Sequence, residues 1–357
     1  MYIRNKELAR SLYFTMALLK ECNYKCSYCY PFGQNKVYGQ NMNEEEAKEV
    51  MRAAITCGFN KVKFTGGEPT LIPWFDKLIE YVINLNQEID ITVITNGSTL
   101  QKHIDVFEKY KKNIRLQLSI DTTDPRHLNE GMFKILDDNT RSNLVELAKR
   151  NITTRINTVV TKTNKGELYK MIDLAVEFGF PIKIFNLFLQ TEYIATNTPY
   201  GKETGRLTPL EYWKENYVNL AEFIPKLKHM CSSEIVHYAK DGKYGISYGF
   251  IIKGIEVLLA DTSKGAYYQS EICLKNCPYF KGMCEKGFYN PHVSSNLVLY
   301  PDDCLNENLR WNLKGKGYEQ KVDSITELLS LFADVQFVKA RARPIDNLLK
   351  DDRYEKT

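Results

Sequence analysis

With 357 residues, the chain is long enough for one large α/β domain and a smaller one, and its 43% apolar and 26% charged residues are ordinary for a folded soluble protein. Its 48 basic and 44 acidic residues leave a formal charge of +4, too balanced to argue for a nucleic-acid polymer or an anionic membrane as partner. No long apolar run is present, and Met1 to Arg10 carries charges where a signal peptide needs an apolar centre, so no membrane partner and a cytoplasmic location are expected.

From Ser11 to about Gln190, short apolar runs alternate with amphipathic stretches, as parallel βα repeats require. Strands are expected at Tyr13–Leu19, Lys61–Thr65, Ile89–Thr95, Arg115–Ile120, Thr154–Thr161 and Ile182–Leu189. Helices are expected between them at Asn43–Cys57, Trp74–Leu85, Thr99–Tyr110, Asn139–Arg150 and Lys165–Phe178. Asn43 with Glu46 three residues later spells a capping box, and Gly58 and Gly179 stand where helix ends favour a left-handed residue. Six strands, each about a helix apart, predict an α/β fold built on a partial (β/α)6 TIM barrel over residues 10–190. In such barrels the loops at the strand C-termini carry the chemistry.

The alternation breaks at Thr191, and residues 191–243 read as a linker followed by a bracing helix that begins near Thr208. Its aromatics, among them Tyr193, Tyr200, Tyr212 and Tyr217, are packing residues or the lining of a substrate mouth. Residues 244–334 form a small C-terminal α+β domain with a closing helix at Tyr318–Ala333, and 335–357 a tail that frays in the charged run Lys350–Thr357.

Nine cysteines in a reducing compartment point to metal ligands or buried thiols before disulfides. Cys22, Cys26 and Cys29 follow the first strand in a C-x3-C-x2-C run, and Gly66-Gly67-Glu68-Pro69 follows the second. Three thiolates hold three irons of a cubane and leave the fourth open to a ligand. The rival reading is a zinc knuckle, which needs a fourth ligand; no histidine or cysteine is close, and Cys57 is the next candidate. A second group, Cys273, Cys277, Cys284 and Cys304, has the spacing C-x3-C-x6-C-x19-C, which matches no common zinc finger and suggests one metal centre. Iron-sulfur and zinc are both open there, Cys231 could replace one ligand, and Cys57 reads more simply as core.

These motifs resemble the radical S-adenosylmethionine (SAM) superfamily, whose signature is C-x3-C-x2-C with an aromatic before the last cysteine, here Tyr28. Within it, the chain looks most like the GTP cyclase of molybdopterin biosynthesis and its relatives with an auxiliary-cluster (SPASM or Twitch) domain, over most of residues 10–310. The runs that carry this are Cys22 to Cys29, Lys61 to Pro69, Thr95-Asn96-Gly97, Leu118-Ser119-Ile120-Asp121, Arg155 to Val160 and Cys304-Leu305. The resemblance implies a [4Fe-4S] cluster on Cys22, Cys26 and Cys29, and SAM chelating its open iron. One electron then splits SAM to methionine and a 5'-deoxyadenosyl radical that abstracts hydrogen from a substrate carbon. Gly66, Gly67, Glu68 and Pro69 would position SAM, Tyr28, Gly67 and Ser119 would contact it, and Thr95 and Asn157 would lie near it or the substrate. A strand-end hydroxyl such as Thr95 or Ser119 serves equally well as a cap on the following turn. Cys273, Cys277, Cys284 and Cys304 would hold a second, auxiliary [4Fe-4S] cluster; with all four bound it is closed and suits electron relay.

The departures concern the substrate. Where the cyclase has an arginine on its first strand this chain has Thr15, Glu285 to Asp303 contains no arginine, and a C-terminal glycine pair is missing. Arginine forks suit triphosphate, so their loss argues against GTP. Lys61 and Lys63 stand where the cyclase is basic, which keeps an anionic substrate open beside the plainer reading of a solvated strand edge. The leading expectation is an enzyme acting on a small molecule or nucleotide in a specialised biosynthetic route, with an electron donor such as flavodoxin or ferredoxin. The alternatives are a maturase of a ribosomally made peptide, for which no leader-binding segment is visible before the barrel, and a non-enzymatic iron-sulfur carrier or zinc scaffold. His103, His127, His229, His237 and His292 are scattered and nominate no general acid or base.

Overall fold

The computed structural model describes residues 2–29, 41–130, 132, 134–187, 209–237, 247–260, 267–269, 290–301, 307–333 and 336–338. Its framework follows from alternation within each strand. In β2 (Lys61–Thr65), Val62 and Phe64 are fully buried while Lys61, Lys63 and Thr65 alternate with them on the opposite face. The same two-residue period runs through β5 (Thr154–Val160) and β6 (Ile182–Asn186). The apolar faces of these strands, with those of β1 (Phe14–Ala17), β3 (Asp90–Thr95) and β4 (Ile114–Ser119), share one core with the covering helices. Those helices are α2 (Glu44–Thr56), α3 (Phe75–Leu85), α4 (Ile104–Lys109), α5 (Asp138–Lys149) and α6 (Leu168–Phe178), and α1 (Tyr2–Ser11) precedes the barrel.

The capping signals act as read. Asn43 Oδ1 accepts from Glu46 N–H, the Glu46 carboxylate accepts from Asn43 N–H, both at 2.9 Å, and α6 ends on Gly179 at a φ of 69°.

Strands β1 to β6 are parallel neighbours in sequence order. The sheet continues past both of their edges. Strand β9 (Ile255–Ala260) pairs in parallel with β6, and β11 (Pro291–Val293) pairs in parallel with β1. Beyond them lie β8 (Ser247–Ile252) and β7 (Ser233–His237) on one side, and β12 (Val298–Pro301) and β13 (Trp311–Asn312) on the other, in one sheet of 12 strands. Strands β10 (Tyr267–Gln269) and β14 (Gln336–Val338) form a separate antiparallel pair.

Helix α7 (Pro209–Asn216) begins where the sequence placed the bracing helix, and α8 (Ile224–Met230) follows it. The closing helix α9 (Tyr318–Ala333) spans the expected residues and packs on α1 and α2. There Tyr318 hydrogen-bonds Thr56, and the buried Lys321 pairs with Glu49. Among the described residues no helix is long and apolar enough to cross a membrane.

Candidate functional site

The loop that leaves β1 is stitched to the loop that leaves β2. Leu18 N–H donates to Thr65 O at 2.9 Å, Gly67 N–H to Leu19 O at 2.7 Å, and Glu68 N–H to Glu21 O at 2.9 Å. The glycine pair is what allows this approach. A Cβ on Gly67 would stand 1.9 Å from Glu21 O, and one on Gly66 2.4 Å from Leu19 O, both of them backbone atoms. Cys22 to Cys29 is therefore held across the strand C-termini by the Gly-Gly-Glu-Pro turn.

Glu68 extends this bracket to β3. Its buried carboxylate accepts from the Thr70 and Thr95 hydroxyls at 2.6 Å and from Asn96 N–H at 2.6 Å. Burial pushes its pKa up, against the pull of these donors. Thr95 in turn accepts from Gly97 N–H at 3.0 Å, the turn-capping arrangement open to a strand-end hydroxyl. Pro69 opens the short 3-10 turn Pro69–Leu71. Asn96 then reaches the cysteine loop, donating to Asn23 Oδ1 at 2.9 Å and towards Cys22 Sγ at 3.6 Å.

The three thiols are free, with Cys26 buried and Cys22 and Cys29 partly exposed. Cys22 Sγ also accepts from Tyr24 N–H at 3.3 Å, and Cys29 N–H donates to Cys26 O at 3.0 Å. Burial raises the Cys22 thiol, and the Tyr24 N–H opposes it. Among the described residues no three His, Cys, Asp or Glu side chains converge on a single-ion position. With N–H donors on Cys22 sulfur, the donor set fits a cubane.

Two helical contacts frame the loop. Tyr212 on α7 hydrogen-bonds Ser27 at 2.8 Å, and Trp213 Nε1 donates to Leu187 O at 3.0 Å. Tyr212 and Tyr217 pack in a small cluster with Tyr28, Val159, Leu187 and Trp213, while Tyr193 and Tyr200 lie outside the described residues. Tyr28 also donates through its hydroxyl to Asp121.

Below the loops, the strand face turned away from the helices is polar and basic. Register places Thr15 beside Lys63, Gln117 beside Arg155, and Ser119, Asn157 and Lys183 side by side across β4, β5 and β6. Asn157 donates to Gln117 Oε1 at 3.1 Å and accepts from Arg155 Nε at 3.1 Å, while the Lys63 ammonium lies 4.9 Å from the Tyr13 ring centroid. Burial, then the charges of Arg155 and Lys63, bring Lys183 down to about 7. A packed TIM barrel fills this space with branched apolar side chains. This one lines it with hydrogen-bonding groups.

Of the expected site residues, Cys22, Cys26, Cys29, Tyr28, Gly66, Gly67, Glu68, Pro69 and Thr95 meet around the two stitched loops. Ser119 and Asn157 lie in the strand layer beneath. Cys273, Cys277, Cys284 and Cys304 lie outside the described residues. Sequence reasoning gave no site role to Lys183, Asp121 or Lys134; the β6 alternation, which sets Lys183 opposite the buried Ile182 and Ile184, was the available signal for the first. His103 bridges Asp76 at 2.6 Å and Thr70 O at 2.9 Å, and His127 meets the fully buried Thr122 at 2.9 Å.

A cysteine loop across the C-termini of a parallel, barrel-like sheet defines a class, and residues 17–175 match the Radical SAM superfamily. The chain carries a domain of that enzyme superfamily. Its relatives include the probable GTP 3',8-cyclase of Methanococcus maripaludis, 33% identical over 31% of this chain and 37% of that protein. The probable GTP 3',8-cyclase of Thermococcus kodakarensis is 27% identical over 69% of this chain and 75% of its own length. In fold the chain is similar to Streptococcus suis SuiB bound to S-adenosylmethionine, with a TM-score of 0.56 and 17% identity over 90% of this chain and 65% of SuiB. It is also similar to anSMEcpe with bound AdoMet, with a TM-score of 0.53 and 16% identity over 90% of this chain and 82% of that one. The chain thus spans only 37% of the first of these cyclases.

Proposed function

We propose that the chain is a radical SAM enzyme acting on a small molecule or nucleotide that carries an anionic group. The observation that carries this is the basic strand face, with Lys63, Arg155 and Lys183 beneath the stitched loops. Cys22, Cys26 and Cys29 hold a [4Fe-4S] cluster, and Gly66 to Pro69, with Tyr28, Thr95, Ser119 and Asn157, form the SAM side of the site. When bound, the cluster supplies the electron for reductive cleavage of SAM and so for hydrogen abstraction from the substrate. The chain's own part is to fix the cysteine loop through Gly67 and Glu68, and to hold the anion through Lys63, Arg155 and Lys183. Flavodoxin or ferredoxin is the proposed electron donor, and the cytoplasm the proposed compartment.

Cys273, Cys277, Cys284 and Cys304 hold a closed auxiliary cluster in this reading. In support, Pro291 and Pro301, the described residues that follow Cys284 and precede Cys304 in sequence, are register partners. A peptide substrate is the second reading, favoured by the likeness in fold to SuiB bound to precursor peptide SuiA, at a TM-score of 0.57.

The test is anaerobic reconstitution, dithionite reduction and measurement of 5'-deoxyadenosine from SAM; its absence from iron-loaded protein overturns the proposal. Lys183→Met is expected to leave SAM cleavage intact and raise the substrate KM about tenfold or more, the worth of one hydrogen bond to a charged group. Lys183 loses its proton as pH rises through about 7. An anion beside it draws the proton back, so substrate affinity is expected to weaken above that pH in the wild type and to lose this dependence in Lys183→Met.

A further inference from the structure

Two charged residues outside the cysteine and glycine motifs stand against the cysteine loop, and the backbone fixes both. Asp121 follows β4, and its N–H donates to Lys134 O at 2.7 Å. Leu136 N–H donates to Thr122 O at 2.9 Å, and Thr122 and Ile135 form a parallel bridge, so the segment bearing Lys134 returns alongside the end of β4. The side chains meet at Tyr28, whose neighbour in sequence is Cys29. The Tyr28 hydroxyl donates to Asp121 Oδ2, Asp121 Oδ1 accepts from Val159 N–H at 2.8 Å, and the Lys134 ammonium lies 5.2 Å from the Tyr28 ring centroid.

Neither charge is spent elsewhere in the mechanism above. Burial pushes both groups towards neutrality: for Lys134 the Asp121 carboxylate and the sulfurs of Cys26, Cys29 and Cys22 outweigh it and hold the ammonium charged, while for Asp121 burial raises the pKa against the pull of the Lys134 ammonium, the Tyr28 hydroxyl and the Val159 N–H. A fixed charge in a low-dielectric setting acts strongly on any neighbouring charge that changes.

We infer that Lys134 and Asp121 form a built-in charge pair that sets the reduction potential of the cluster on Cys22, Cys26 and Cys29, with Lys134 favouring the reduced form and Asp121 opposing it. The inference rests on the reading that this trio holds a cubane. Reduction adds one electron, supplied in the test by dithionite, to a centre already bearing three thiolates, and a neighbouring ammonium stabilises the added charge. Lys134 is thus a positioning and tuning residue rather than a catalytic one.

The experiment is an EPR-monitored redox titration of the full chain, with the N-terminal cluster recognised as the signal that changes when SAM is added. Lys134→Met should move its midpoint to a more negative potential, Asp121→Asn to a more positive one, and Lys134→Arg should stay near wild type. A residue that merely holds the loop in shape gives no opposed pair of shifts. Equal midpoints in wild type, Lys134→Met and Asp121→Asn overturn the inference while leaving the cluster assignment standing. If Lys134→Met fails to assemble a cluster, Asp121→Asn decides alone: a positive shift supports the pair, and no shift or a negative one overturns it. No iron on the trio in wild type overturns the cluster reading itself.

Discussion

Replacing Cys26 by alanine is expected to abolish 5'-deoxyadenosine formation from SAM, with iron and sulfide content falling by one cluster. Cys26 is 2% exposed and the most buried of the trio. Cys57 cannot substitute for it. Its sulfur lies 3.7 Å from Val322 O and 3.7 Å from the Thr326 hydroxyl, in the layer between α2 and α9 and away from the strand C-termini. Chromatographic quantitation of 5'-deoxyadenosine beside an iron assay checks the prediction. Continued SAM cleavage by the variant would show that the trio is not the radical-generating centre.

Gly67→Ala carries the second large effect, and it acts without altering any of the three cysteines. The added methyl would meet Glu21 O at 1.9 Å and Glu21 C at 2.3 Å. Backbone cannot rotate away as a side-chain tip can, so the two loops must part, at a cost of about 3 kcal/mol or more by analogy with overpacked cores. A lower urea midpoint together with poor iron retention is expected. Gly166→Ala serves as the control: a Cβ there meets nothing within 4 Å, and the change should stay within about 0.5 kcal/mol of wild type. Equal midpoints for the two variants would refute the proposed role of Gly67.

What the sequence made legible was local. Five of the six barrel strands fall within a residue or two of their expected bounds, the sixth ends at Asn186 where Leu189 was expected, and the Asn43 capping box and the helix Tyr318–Ala333 are where the pattern put them. Each depends on periodicity or on contacts a few residues apart. What escaped was long-range: β9 and β11 pair with β6 and β1 across 75 and 277 residues respectively, and no local signal announces such partners. Lys183 and Lys134 escaped for a related reason. A lysine on a strand or a loop reads as surface until register shows what it faces. The glycine pair was legible as a requirement but not in its cause, because the backbone that crowds it comes from Leu19 and Glu21, more than 40 residues earlier.

The outer strands on either side of the barrel sheet bear on how the protein can be handled. A fragment ending after Asn186 would lack the segments that satisfy the outward N–H and C=O groups of β1 and β6. Such open hydrogen-bonding margins invite self-association, so truncation to the six-strand half is a route to insoluble material rather than to a minimal enzyme.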